Sequence, residues 1–545
     1  MAWIALVGPE LEENLSLRYL ASSLARAGFE TEIVALNGDA DFGDALTHIV
    51  SAPEPPLLVG LSLAFQWRAR DFLALAIALR QRGYAGHVTA GGHFAIFACR
   101  ELLRDFPEVD SICRQEAEDT IVSLARAVLA GQGLAAIPGL TLRDGEGQVV
   151  GTAAPALPDL ATLPRPDRRG EPAMCFGHGI APLVSSRGCY ANCTFCCIAA
   201  WHEQTLPGKR YRLREVDAVA DEMAELQRTR GVDVFVFHDD NFFVPGHRRN
   251  VARLSALADA LEARDIGPFA TVVKARPTDV DPEVFRILCE RLSCIRCYIG
   301  VETDADQGLE TLRRWSHPHQ NHDAIEVVRR LGLYTCFNML IFDPDTTIES
   351  VETNIAFIRH AAEFPFNFGR VELYAGTPLL ARMLDEKRCT GDYMQYDYRL
   401  ASPEMERIFE LAMACFGERN FGDDALANKI MATRFDVEVC RHFHRDRFRA
   451  EWLEEGQELS RALSLDTAVG LETIVAHVRR GAPVSEDGPL VRDLSGRLRA
   501  VERDISQQAR GLARRLQREI GHGEPLTDVG DKVATSLQRG VAVGF

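Results

Sequence analysis

Residues 187–197 read RGCYANCTFCC, and three of their four cysteines, Cys189, Cys193 and Cys196, are spaced C-x3-C-x2-C. The chain of 545 residues has fourteen cysteines, and its first residues, MAWIALVGPELEENL, place no basic segment before the short apolar run. No secretory leader is expected there. A cytoplasmic chain keeps thiols reduced, and clustered ones then point to metal rather than disulfides. Three thiolates fall one short of a closed structural zinc site. A four-iron cluster held by three cysteines instead leaves one iron open to a further ligand. Zinc remains an alternative, with Cys197 or His202 as a fourth ligand.

Working outward, the triad follows the apolar run PLVSSRGC, which reads as a strand. Further strands are expected at DVFVFHDD, FATVVKAR, IRCYIGVE, YTCFNMLIF and GRVELYAG, with amphipathic helical patterns between them. Six strand–helix repeats over 184–385 predict a partial (β/α)6 barrel, whose chemistry gathers at the carboxyl ends of the strands. Residues 1–150 also alternate, from AWIALVG through TEIVAL, PLLVGLSLA and HVTAGGH. They predict a doubly wound parallel sheet with its ligand beyond the strand ends. Between these regions, 151–183 carries Pro155, Pro158, Pro164, Pro166, Pro172 and Pro182 and reads as a linker. After 385, strand signals fade, and 386–545 predicts a helical C-terminal domain. The formal net charge of −17 speaks against nucleic acid or an anionic membrane as partner. No apolar stretch of about 18 residues or more is present to span a bilayer.

The triad, its place after a strand and the preceding α/β region together resemble the cobalamin-dependent radical SAM enzymes. The resemblance implies a [4Fe-4S] cluster on Cys189, Cys193 and Cys196, with S-adenosylmethionine on the open iron and Phe195 near its adenine. It assigns Asp239 and Asp240 to the methionine amine. Glu302 is assigned to the S-adenosylmethionine region, with a helix N-terminal carboxylate as the alternative. Lys274 and Arg276 could meet the cofactor's carboxylate, or pair with Asp279. Glu372 and Tyr374, on one face of the sixth strand, are expected on the substrate side, and Thr346 or Thr347 as an N-cap. In the first domain the resemblance places cobalamin against Ser62, Gly91, Gly92 and Glu116, with Trp67 or Arg68 beneath the corrin. For Trp67, domain packing is the alternative. The loop GPELEENLS has no histidine, so no protein histidine on cobalt is expected.

The implied reaction passes a methyl group from cobalamin to a substrate carbon after an adenosyl radical has removed hydrogen. Its implied partners are a small-molecule or peptide substrate and an electron donor such as flavodoxin or ferredoxin. Oxidative ring formation without methyl transfer, and a cluster- and corrin-binding sensor, stay open as alternatives. Cys289, Cys294 and Cys297 could hold a second cluster. The odd spacing of Cys294 and Cys297 puts them on opposite strand faces and favours core packing.

Overall fold

The run IALV (4–7) is buried throughout, as expected of a central strand covered on both faces. The computed structural model containing it describes residues 2–205, 211–422, 424–521 and 523–529. The chain forms two bodies, the smaller made of Met1–Gly170, Phe195–Arg212 and Leu373–Asp397. Its strands β1 (Trp3–Gly8), β2 (Glu30–Ala35), β3 (Leu58–Ser62), β4 (His87–Gly91) and β5 (Ser111–Cys113) are parallel, in the order β2-β1-β3-β4-β5. The order reverses between β1 and β3, where open sheets of this kind bind ligands. Helices α1 (Leu15–Arg26), α2 (Asp39–Val50), α3 (Ala69–Gln81) and α4 (Glu118–Leu129) cover the sheet. One feature differs from the all-parallel expectation. Strands β6 (Leu140–Arg143) and β7 (Val149–Gly151) extend the sheet antiparallel. Their turn is made by Asp144, whose Oδ1 accepts from Glu146 and Gln148 amides at 2.9 Å, and by Gly147 at φ +79°.

The larger body comprises Glu171–Thr194, Leu213–Glu372 and Tyr398–Phe545. Six parallel strands form its half-barrel sheet: β9 (His178–Leu183), β10 (Val232–Phe237), β11 (Ala270–Ala275), β12 (Cys294–Glu302), β13 (Tyr334–Phe342) and β14 (Phe366–Arg370). Strand β8 (Ala173–Cys175) pairs antiparallel with β9 at the edge. The first strand thus begins upstream of PLVSSRGC, inside the proline-rich stretch. Pro182, near the end of β9, is tolerated because only the amide is lost. The sixth strand stops at Arg370, so Glu372 and Tyr374 stand on a loop rather than on a strand face. Between the strands run α5 (Val216–Arg230), α6 (His247–Glu262), α7 (Pro282–Arg291), α8 (Pro318–Leu331) and α9 (Ile348–His360). Gly231 and Gly332 close α5 and α8 in the left-handed region. Thr347 caps α9 by accepting from the Ser350 amide at 3.2 Å, while Thr346 bonds Asp343 instead.

The C-terminal region supplies α10 (Pro403–Phe421), α11 (Leu426–Phe443), α12 (Ala450–Arg479) and α13 (Asp487–Ile520). Every residue of α11 from Leu426 to Cys440 is buried. Ile430, Met431 and Phe435 share one core with Val234 and Val236 of β10, Val272 of β11, Tyr298 of β12, and Tyr334 and Cys336 of β13. The half-barrel is therefore packed from one face by this helix. Its polar groups are matched there: Tyr334 Oη donates to Met431 O at 2.9 Å, and Asn367 Nδ2 to Asn428 Oδ1 at 3.0 Å. A hairpin, Cys389–Asp392 with Gln395–Tyr398, precedes these helices, where only helix was expected. Among the described residues no helix is long and apolar enough to cross a membrane.

Candidate cofactor site

The loop after β9 carries the first two cysteines of the triad, and the end of β10 holds its backbone in place. Ser185 N donates to both carboxylate oxygens of Asp239 at 3.1 Å. Ser185 Oγ donates at 2.7 Å, and Ser186 Oγ donates to the same group. Asp239 is fully buried. Burial pushes its carboxyl up, and Arg253 and the serine donors oppose that. Asp240 Oδ2 accepts from Gly188 N at 2.9 Å, one residue before Cys189, where Gly188 takes φ +91°. Both aspartates thus hold groups of the cysteine loop.

Cys189 is half-buried, and loss of solvent pushes its thiol up to about 12, so a thiolate there is favoured by a metal or cation. Two cations lie near these thiols, Arg276 beside Cys189 and, not signalled by the sequence, Arg314. Its Nη1 donates to Cys193 Sγ at 3.4 Å and lies 3.8 Å from Glu302 Oε1, while Nη2 donates to Gly300 O. Glu302 ends β12 at φ +65°, a strained conformation for a residue with a side chain. It is paired with Arg314, and the next helix starts only at Asp306, so it is not an N-terminal carboxylate. Burial raises Glu302, and Arg314 and Arg276 hold it down.

Arg276 Nη2 donates to Arg314 O, and its guanidinium lies 5.7 Å from the Tyr190 ring centroid. Asp279 accepts from the Arg276 amide at 3.0 Å, from Tyr190 Oη and from Asn241 Nδ2 at 3.2 Å. Lys274, one turn of strand earlier on β11, is half-buried. Cys189, Cys193, Arg276, Glu302 and Arg314 therefore gather in one place. The Nε atoms of Arg276 and Arg314 are buried without a hydrogen-bond partner. A group with acceptor atoms there would complete them, and a thiolate-ligated cluster with a carboxylate-bearing cofactor has that chemistry. Among the described residues, no three His, Cys, Asp or Glu side chains form a ready metal-binding group, around Cys289, Cys294 and Cys297 or elsewhere. Cys294 and Cys297 lie buried in β12 as core residues.

Phe195 and Cys196 follow in the chain as the first residues of a segment of the smaller body. Phe195 is buried, Cys196 half-buried, and a helix, Cys197–Thr205, starts directly after them. In that body, Ser62 ends β3 and Gly91 ends β4, at the strand ends that the switch point exposes. Ser62, Ala64, Gly91 and Gly92 put only small side chains, or none, at these ends. Gly92 has a further reason to be glycine. It takes φ +101°, and a Cβ there would stand 2.7 Å from Ala64 N.

Arg68 is turned inward, donating to Leu36 O at 2.9 Å and to Asp71 at 3.1 Å, so its guanidinium serves the domain core. Trp67 is 44% exposed. Glu116 is ion-paired with Arg212. Gln66, not anticipated from sequence, is buried and holds the loop around Tyr374: its Oε1 accepts from Ala375 N at 3.0 Å. Glu372 is exposed and Tyr374 half-buried.

The fold and this site are those of an α/β protein with thiols and guanidinium groups gathered at the strand ends of a half-barrel. The chain matches the B12 binding domain over residues 4–125 and the Radical SAM superfamily over residues 183–358. It belongs to the cobalamin-dependent radical SAM enzymes, whose cofactors are a [4Fe-4S] cluster, S-adenosylmethionine and cobalamin. Among curated proteins it is 25% identical over 374 residues to an uncharacterized methyltransferase, PH0819, of Pyrococcus horikoshii, covering 67% of this chain and 77% of that one. It is 27% identical over 348 residues to the hopanoid C-3 methylase of Methylococcus capsulatus, covering 62% and 63%. Among solved structures, the cobalamin-dependent radical enzyme OxsB with aqua-cobalamin and S-adenosylmethionine bound superposes with a TM-score of 0.66 at 15% identity, over 100% of this chain and 84% of that one. That likeness is one of fold.

Proposed function

We propose that the protein is a cobalamin-dependent radical SAM methyltransferase acting on a carbon centre of a small-molecule or peptide substrate, supplied with electrons by a flavodoxin- or ferredoxin-type donor in the cytoplasm. In this reading Cys189, Cys193 and Cys196 ligate the cluster and Phe195 packs beside the adenine. Arg314 balances the negative charge of the sulfurs. The unpaired Nε atoms of Arg276 and Arg314, with Lys274 two residues before Arg276 on β11, meet the α-carboxylate of S-adenosylmethionine, and Glu302 receives its ammonium. Asp239 and Asp240 keep the cysteine loop in its ligating shape. Ser62, Gly91 and Gly92 give cobalamin a surface without side-chain bulk, and Trp67 covers part of it. Glu372 and Tyr374, on the loop that Gln66 fixes, stand on the substrate side. When bound, the cluster supplies the electron that cleaves S-adenosylmethionine, and cobalamin supplies the methyl group. The observation that carries this reading is the buried guanidinium of Arg314 against Cys193 within a C-x3-C-x2-C loop.

The test is product analysis. The anaerobically loaded, reduced enzyme is given methyl-labelled S-adenosylmethionine and a metabolite and peptide extract. Label in a new carbon-bound methyl group, with S-adenosylhomocysteine and 5′-deoxyadenosine in equal amounts, supports the proposal. Deoxyadenosine alone would favour oxidative ring formation. S-adenosylhomocysteine alone would favour a non-radical route, and neither product a sensor.

A further inference from the structure

Away from the cysteines, α10, the start of α11 and α13 bound a cavity of about 810 Å³, a volume suited to a small ligand. Among the described residues five arginines line it, Arg419, Arg499, Arg503, Arg510 and Arg514, against three carboxylates, Glu418, Asp424 and Glu502. Two of these carboxylates are already engaged. Arg419, with a side chain only 1% exposed, donates to Glu502 and Asp466 at 2.8 Å and to Thr467 at 3.0 Å. Asp424 pairs with the buried Lys429 and lies 3.6 Å from Arg510. Arg499, Arg503 and Arg514 make no ion pair or side-chain hydrogen bond among the described residues. In a chain of net charge −17, such a local excess of cations is not a by-product of composition.

The spacing on α13 adds to this. At 3.6 residues per turn, Arg499, Arg503, Arg510 and Arg514 fall within about 60° of one another around the helix. The pairs 499/503 and 510/514 are like charges at i, i+4, which cost an isolated helix a few tenths of a kcal/mol each. The opposite face, with Leu498, Ile505, Leu512 and Leu516, is buried and explains the helix without them. Among the described lining residues Ser506 and Gln507 add a hydroxyl and an amide, Leu426 is the one large apolar side chain, and none is aromatic. The cavity therefore offers donors and positive charge but no surface on which a base or an apolar body could stack.

We propose that this cavity is a binding site for a compact phosphate-bearing anion, gripped by Arg499, Arg503, Arg510 and Arg514. Guanidinium pairs bind phosphate oxygens bidentately, which lysines would not do as well. The site is independent of the cofactor reading, since none of its residues takes part in that reading. Its ligand is either a free oligophosphate or the phosphate end of a larger metabolite.

Isothermal titration of the full-length chain with pyrophosphate and, separately, with ribose 5-phosphate, at about 0.15 M salt, tests this. Saturable one-to-one binding of pyrophosphate alone supports the free oligophosphate, and binding of ribose 5-phosphate supports the phosphomonoester. In either case R503Q/R514Q weakens binding about tenfold or more, roughly one lost charge-assisted bond. R518Q, an exposed arginine on the same helix outside the cavity, leaves it unchanged. The proposal is overturned if neither compound gives saturable heat up to about 10 mM, if R503Q/R514Q binds as the wild type does, or if R518Q weakens binding equally. Because these arginines are exposed and unpaired, the variants fold, which circular dichroism checks.

Discussion

Arg314 is buried and Glu302 largely so, and each makes the other tolerable. Removing one leaves an uncompensated charge inside the protein, which costs about 3–5 kcal/mol. R314Q should therefore destabilise the larger body by about that amount and lower the iron held after anaerobic loading several-fold. In an E302Q background the same substitution should cost far less, a coupling that a double-mutant cycle in urea measures directly. Equal costs in both backgrounds would show that the pair is not coupled. Gly92 is constrained by its backbone. Alanine there meets both a left-handed φ and the Ala64 amide, so G92A should lower the smaller body's stability by about 2–3 kcal/mol. Thermal unfolding followed with bound cobalamin as ligand checks it. At this scale the cysteines were legible because their ligating pattern is local. Arg314 was not, because its contact with Cys193 spans 121 residues and an arginine at a helix end carries no signal. Arg68 showed the converse: its position after β3 suggested a ligand contact, but its three-dimensional neighbours are Leu36 O and Asp71.

The helix α11 carries Asp436 into the core, where its carboxyl accepts from the Leu526 and Thr527 amides at 2.7 and 3.0 Å. Burial pushes it up to about 6, against the pull of these donors. A carboxyl raised on folding gives stability that is complete below its unfolded value near 3.8 and is lost as pH rises through 6. The shift of about two units corresponds to about 3 kcal/mol. Hydrogen exchange across 426–443 should accordingly speed up between pH 4 and 6 beyond its intrinsic dependence, and D436N should remove that excess. An unchanged profile in D436N would assign it to other groups.

The sequence revealed the strands well because the parallel sheet is buried on both faces and reads as continuous apolar runs. It located the sixth strand too far along, since VELY alternates like a strand but is held as a loop by Gln66. It showed α11 to be helical but not where the helix sits. A helix buried on all sides loses the one-sided pattern that reveals its partner. The hairpins at 140–151 and 389–398 rest on short turns whose strands are too brief to register.

At the scale of the whole molecule, the chain joins a corrin-binding sheet to a half-barrel whose cysteine loop is fixed by Asp239 and Asp240. In the proposed assignment cobalamin rests on residues of the smaller body's sheet, so loss of the cluster should not abolish its binding. The most direct test of the account is the iron, sulfide and cobalamin content of the anaerobically loaded chain, with the same measurement on C193A. The account predicts roughly four irons and four sulfides per wild-type chain, in the electron paramagnetic resonance form of a reduced [4Fe-4S] cluster, and one cobalamin. It predicts that C193A loses the cluster and keeps the cobalamin. A C193A chain with undiminished iron and sulfide, or a wild-type chain that takes up zinc in their place, would contradict it.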